Sequence, residues 1–133
     1  MTEIRYRNGK NVIENWDRVF RALSEEPRRQ LIVSLLDAPP DEPAPLPESA
    51  INPNVPVDLE VLEMKLRHNH LPMLANMGFV EWDTDPFVAF RGPKFDEVAV
   101  VFDALHTSAK DMPDQLVVGC QRLEQEQQQS YRD

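Results

Sequence analysis

Apolar positions along the 133-residue chain change their period several times, and each change marks an element. Ile13, Trp16, Phe20 and Leu23 recur at three and four residues, which predicts an amphipathic helix from about Val12. Ser24 then interrupts the stripe and is followed by Glu25, Glu26 and Pro27. Serine is a good N-cap, carboxylates suit the positive end of a helix, and proline in the first turn forfeits no needed hydrogen bond. A second helix is therefore expected from Glu25 to about Leu36, burying Leu31, Ile32, Leu35 and Leu36.

The next stretch carries seven of the twelve prolines between Pro39 and Pro56, mixed with acids and small residues. Proline removes donors and disfavours helix in the residue before it, so a long connector is expected, with one short helical turn at Glu48–Ile51. Asp58 is placed to cap a third helix whose stripe is Leu59, Leu62, Leu66, His70, Met73 and Met77. Pro72 deprives the His68 carbonyl of its helical partner, which predicts a kink or a break near His70–Leu71. Gly78 ends that element as a C-cap, and FVEWD, TDP and FVAFR then read as a β-hairpin closed by Pro93. Helical spacing returns through Phe95, Val98, Phe102 and Leu105. A last helix opens at Pro113 and repeats Leu116, Cys120 and Leu123 before a polar end. No internal repeat is visible. The expected fold is mainly α with a small β-hairpin. Its divisions are a basic N-terminal arm at 1–11, a central unit at 12–94 containing the proline-rich connector at 39–57, and C-terminal helices at 95–133.

Composition narrows the class. No apolar run reaches the roughly 18 residues needed to span a bilayer. The N-terminus has no apolar stretch after its charges, so no signal peptide is expected. One cysteine, Cys120, cannot form an internal disulfide, which fits a reducing cytoplasm. Acidic residues outnumber basic ones by 23 to 14, giving a formal charge of −9, and only Lys10, Lys65, Lys94 and Lys110 are lysines. Such a surface suits very high salt, where charge repulsion is screened over about 3 Å at 1 M; it also suits an ordinary acidic soluble protein.

Catalytic chemistry finds no support in the residue pattern. The serines sit in no nucleophile motif and the four glycines form no phosphate-binding loop. His68 and His70 form a His-x-His pair, but residues two apart on a helix diverge and zinc requires about four converging ligands. His70 falls on the apolar stripe and reads as a hydrogen-bonded core histidine, so neither a metal site nor a cofactor is expected.

The order helix, helix, connector, helix, hairpin, helix is that of a winged helix. HL-x-x-L at His70–Leu74, then Gly78 and Phe79-Val80 entering a strand, resembles the recognition-helix-to-wing junction of ArsR-type transcriptional regulators. Phe20-Arg21-Ala22-Leu23-Ser24 with Pro27-Arg28-Arg29-Gln30-Leu31 is similar to their first two helices. The string His68–Asp83 resembles more closely a haloarchaeal group of winged helix-turn-helix domains. The resemblance covers roughly residues 13–92 and implies a salt-adapted host and a homodimeric regulator of double-stranded DNA. Two departures stand out: the connector replaces a compact second helix, and the wing carries Glu81, Asp83 and Asp85.

On that reading, Lys65, Arg67, His68 and Asn69 are the groove-facing candidates, since no acid occurs between Glu63 and Glu81. Arg28, Arg29, Arg91 and Lys94 are candidates for backbone phosphates. Leu116, Val117, Cys120 and Leu123 are candidates for packing across a two-fold axis. The rival reading is a protein-interaction module without DNA contact. A third is a regulator responsive to a small molecule, for which the residues reveal no pocket.

Overall fold

The computed structural model describes residues 2–117 and 121–132, with side chains over 8–117 and 123–129. The chain is mainly helical with one small antiparallel sheet. Helix α1 (Thr2–Leu23) leads into α2 (Glu26–Asp37), strand β1 (Ala44–Pro45) and a 3-10 turn at Glu48–Ala50. Next come α3 (Leu59–Lys65), a π-helical turn (Leu66–His70) and α4 (Leu71–Asn76). Strands β2 (Val80–Thr84) and β3 (Phe87–Arg91) form the hairpin. Helix α5 (Phe95–Thr107), a 3-10 turn at Ala109–Asp111, α6 (Asp114–Val117) and α7 (Gln121–Arg132) complete the described chain.

Helix α1 corrects two expectations. Its helix begins at Thr2, so residues 2–11 are its first half and not a separate arm. Nothing in TEIRYRNGKN forbids helix, and the single Gly9 costs only about 1 kcal/mol. The buried face is also not the aromatic stripe. Val19, Ala22 and Leu23 enter the core, whereas Ile13, Trp16 and Phe20 are 63%, 46% and 59% exposed. Trp16 and Phe20 stack on each other at 5.6 Å, on the outside.

Helix α2 buries Leu31, Ile32 and Leu35, as its spacing predicts, and holds Leu36 half-buried. Its start differs from expectation: Glu25 is the N-cap and its side chain makes no capping bond. Ser24 instead turns back, its hydroxyl donating to the Arg21 carbonyl at 2.8 Å and accepting from Arg28 at 2.7 Å.

The proline-rich connector is more ordered than composition suggests. Ala44 pairs with Ala89 and Pro45 with Val88, making β1 the third strand of a sheet ordered β1-β3-β2. Ala44 and Leu46 point inward while Pro45 stays exposed, so an edge strand tolerates the missing N–H. The turn at Glu48–Ala50 lies within the predicted range and is tied to α2, the Ser34 hydroxyl donating to the Ser49 carbonyl at 2.8 Å.

Asp58 caps α3 as expected, accepting from the backbone N–H of Glu60 and Val61. The departure expected near His70–Leu71 is present, as a π-helical turn between α3 and α4. The turn before Pro72 widens to π geometry, in which the Leu71 N–H donates to the Leu66 carbonyl, and the rod continues to Asn76. Gly78 has φ +82° and closes the helix, with Gly78 N–H donating to Ala75 and Phe79 N–H to Leu74. The hairpin β2–β3 follows in the predicted place, with Trp82 opposite Ala89.

One core joins these elements. Leu31, Leu66, Leu71, Leu74 and Phe79 share it with Phe95, Val98, Ala99 and Phe102 of α5. A division at 94/95 therefore cuts through packed side chains, and α5 belongs to the central unit. No helix among the described residues is long and apolar enough to cross a membrane.

Candidate nucleic-acid interface

The eight basic and polar candidates fall into two groups once their partners are counted. Arg28 is the most deeply placed, 2% exposed, at the start of α2. Its Nε donates to the Ala22 carbonyl at 3.1 Å and its two terminal nitrogens donate to the Arg21 carbonyl, Ser24, Glu25 and His70. The Arg21 and Ala22 carbonyls lie in the last turn of α1, where helical partners run out; Arg28 donates to both, and the Arg21 carbonyl accepts from Ser24 as well. Arg28 is thus a structural clamp and not a phosphate contact, because its donors are consumed inside the molecule.

His70 completes this buried knot. Its Nδ1 lies 2.9 Å from Arg28 and must accept, since a guanidinium has only donors; the ring proton therefore sits on Nε2. Burial first, then the Arg28 cation, lowers the His70 pKa from its ordinary 6.5, with Lys65 acting in the same sense and Glu25 opposing. The core-histidine reading of His70 fits these contacts. His68 stands exposed while His70 is 1% exposed, so the His-x-His pair does not converge.

Arg29 and Arg91 repeat the clamp on smaller scales. Arg29 donates to the Leu23 carbonyl at 2.7 Å and pairs with Glu26 at 3.0 Å, leaving its side chain 37% exposed. Arg91, at the end of β3, donates to the carbonyls of Leu35, Leu36 and Ala38, which close α2. Its guanidinium also lies 4.9 Å from the Phe95 ring centre. Arg91 too is corrected: its Nε and NH2 are taken up by the α2 carbonyls, which fastens the hairpin to α2.

The second group surrounds the π turn. Lys65, His68 and Asn69 are exposed on α3 and its π continuation, which buries Leu62, Leu66 and His70 on the opposite side. Arg67 lies between the groups. Both Nε and NH2 reach Glu63 Oε1, and its guanidinium stacks 3.9 Å from the Phe87 ring centre on β3. That contact ties the exposed helix to the hairpin, and Arg67 would have to leave Glu63 to meet a phosphate. Lys94 is exposed, its stem lying against Gly78, where an added Cβ would come within 3.2 Å.

Two further features frame the surface. The hairpin exposes Glu81, Asp83 and Asp85 around its turn. Val55, Val57, Leu59, Val61 and Met64, leading into and along α3, are all more than 40% exposed. Neither the Arg28 knot nor the Arg91 clamp has a signal in the sequence, because arginine at a helix start or strand end looks the same whether it faces water or a carbonyl.

The C-terminal candidates do not form one outward seam. Leu116 is 62% exposed, Val117 is fully buried and Leu123 is half-buried, while Cys120 lies outside the described residues. Comparison of the chain with protein families, with curated proteins and with solved structures finds no match to any of the three.

Proposed function

We propose that this chain is a cytoplasmic DNA-binding transcriptional regulator of winged-helix type, acting as a homodimer and not as an enzyme. The element order and the sheet order β1-β3-β2, with a helix leading directly into a hairpin, support the winged-helix reading. The observation that carries the DNA reading is the exposed trio Lys65, His68 and Asn69 on one side of the π turn, in a segment free of acids from Glu63 to Glu81. Lysine supplies a phosphate contact and asparagine can bond an adenine edge in two places. The homodimer is better carried by the outward stripe Ile13, Trp16 and Phe20, flanked by exposed Val100, than by the C-terminal seam.

The test is selection of duplexes from a random pool, followed by anisotropy titration of the enriched sequence from about 0.1 to about 2 M salt. The triple variant Lys65→Ala, His68→Ala, Asn69→Ala should weaken binding at least tenfold, each good base contact being worth roughly 1–3 kcal/mol. Sedimentation of the same samples should give a dimer that Trp16→Glu dissociates. Equal affinity of the variant and the parent chain would remove the trio from the interface.

A protein-interaction module is the second reading. The acidic hairpin and the apolar run from Val55 to Met64 favour it. No enriched duplex at any salt, with Met64→Asp abolishing capture of a defined protein partner, would establish it over the first.

A further inference from the structure

The three strands of the sheet are not braced alike. At the base of the hairpin, Arg91 on β3 donates to the carbonyls that close α2. Strand β1 lines one edge of β3 as far as Phe87, whose carbonyl accepts from the Leu46 N–H at 3.0 Å. Strand β2 is the other edge of the sheet. Toward its tip, β2 is reached through a stack of side chains. The Arg67 guanidinium, on the π turn, lies 3.9 Å from the Phe87 ring centre, and the Phe87 ring meets Trp82 of β2 edge-on at 6.3 Å. Glu63 accepts from Arg67 at 3.0 and 3.2 Å and so fixes the cation from the helix side. A planar guanidinium can lie flat on a ring while its edge bonds a carboxylate, which an ammonium group cannot reproduce.

Strand alternation gives this stack a consequence. Trp82 stands opposite Ala89, two residues from Phe87, so the two rings share the face that buries Val80 and Ala89. Glu81 and Asp83 therefore project from the opposite face of β2, and both are exposed. The tilt of β2 decides how near these two carboxylates come to anything docked on the exposed side of the π turn. Carboxylate against phosphate is repulsive, so that tilt matters most to a nucleic acid.

We propose that Arg67 is a positioning residue, whose stack on Phe87 and Trp82 sets the tilt of β2 and keeps Glu81 and Asp83 off the phosphates of a duplex docked on Lys65, His68 and Asn69, an inference that rests on the DNA reading. Arg67 then acts through the hairpin and not by meeting a phosphate itself.

The test is a double-mutant cycle read by anisotropy with the enriched duplex at about 0.15 M salt, where charges act over about 8 Å. Arg67→Gln should weaken binding about tenfold, through the approach of like charges. In a chain already carrying Glu81→Gln and Asp83→Asn, the same change should cost less than about twofold, because no carboxylate remains at those positions. Phe87→Leu keeps the Arg67 charge and removes the ring; it should reproduce both results, and Arg67→Lys should not restore affinity. A direct phosphate contact gives the opposite pattern: equal losses in both backgrounds, recovery by lysine and no effect of Phe87→Leu. That pattern overturns the proposal and leaves the DNA reading standing. Residual dipolar couplings of the free chains should show the hairpin reoriented against α4 in Arg67→Gln and in Phe87→Leu. An unchanged orientation overturns the proposal whether or not the chain binds DNA. If the parent chain binds no duplex at any salt, the DNA reading falls and the role of Arg67 falls with it.

Discussion

Arg28 and Lys65 carry the same formal charge and stand on helices packed into one core, yet their surroundings are opposite. Arg28 has its donors turned inward onto Ala22, Arg21, Ser24, Glu25 and His70, whereas Lys65 stands exposed beside the π turn. The same division separates Arg91, fastened to the end of α2, from His68 and Asn69. In a chain with 23 acids and 14 bases, three of the eight candidate site residues, Arg28, Arg29 and Arg91, are spent on the carbonyls that end helices. What is left for a partner is a short exposed patch, not the broad basic face that a residue count suggests. A guanidinium serves the inward role well because its planar fork can reach several carbonyls at once, which a lysine ammonium cannot match in direction.

The largest test of this contrast is Arg28→Ala. It strands the Ala22 carbonyl and leaves His70 Nδ1 without its donor, so a loss of about 2–5 kcal/mol is expected, at roughly 1–3 kcal/mol for each buried group left unsatisfied. That is a large part of the roughly 5–15 kcal/mol available to a domain. Arg28→Lys should recover little of it, and thermal or urea unfolding measures both; a loss below about 1 kcal/mol would erase the distinction between the groups. Arg91→Ala comes next, at about 1.5–3 kcal/mol, because it frees the carbonyls of Leu35 and Ala38 while leaving a half-buried site that water can reach.

The pH dependence sharpens the picture from the His70 side. Its folded pKa lies below the ordinary 6.5 because burial and Arg28 both oppose a second proton. The folded chain then binds fewer protons than the unfolded one in this window, so the contribution is whole above about pH 6.5 and is lost as pH falls through the folded pKa. Glu26, whose folded pKa lies below its ordinary 4.5, loses its contribution only further down, in the carboxylate range. Unfolding midpoints measured from neutral pH downward should show the first decline, and His70→Gln should flatten it. The smallest stability effect belongs to Lys65→Ala, within about 0.5 kcal/mol of the parent chain. Its consequence should instead be a uniform weakening of DNA binding and a salt slope shallower by about 1, read from the same anisotropy titrations.

Much of the framework was legible in the residues. Asp58 and Gly78 bracket the third helix through local chemistry, a carboxylate accepting two N–H groups and a backbone at positive φ. The hairpin and the turn near Glu48 were equally local. The stripe Ile13, Trp16 and Phe20 was visible too, but its direction was not. Period reveals that a helix has an apolar face without saying what meets it, and here Val19 and Ala22 won the core.

Local signals depend on a few neighbouring residues, so the sequence alone determined where the helical run from Asp58 to Gly78 starts and stops, where the chain reverses, and that its composition is acidic. Long-range contacts depend on which elements meet. The pairing of Ala44 with Ala89, the 42-residue reach from Arg28 to His70 and the stack of Arg67 on Phe87 were therefore decided only by the tertiary structure. The physical reason is that a side chain's charge and size are fixed by its chemistry, whereas its role is fixed by the partners that packing brings within about 3 Å.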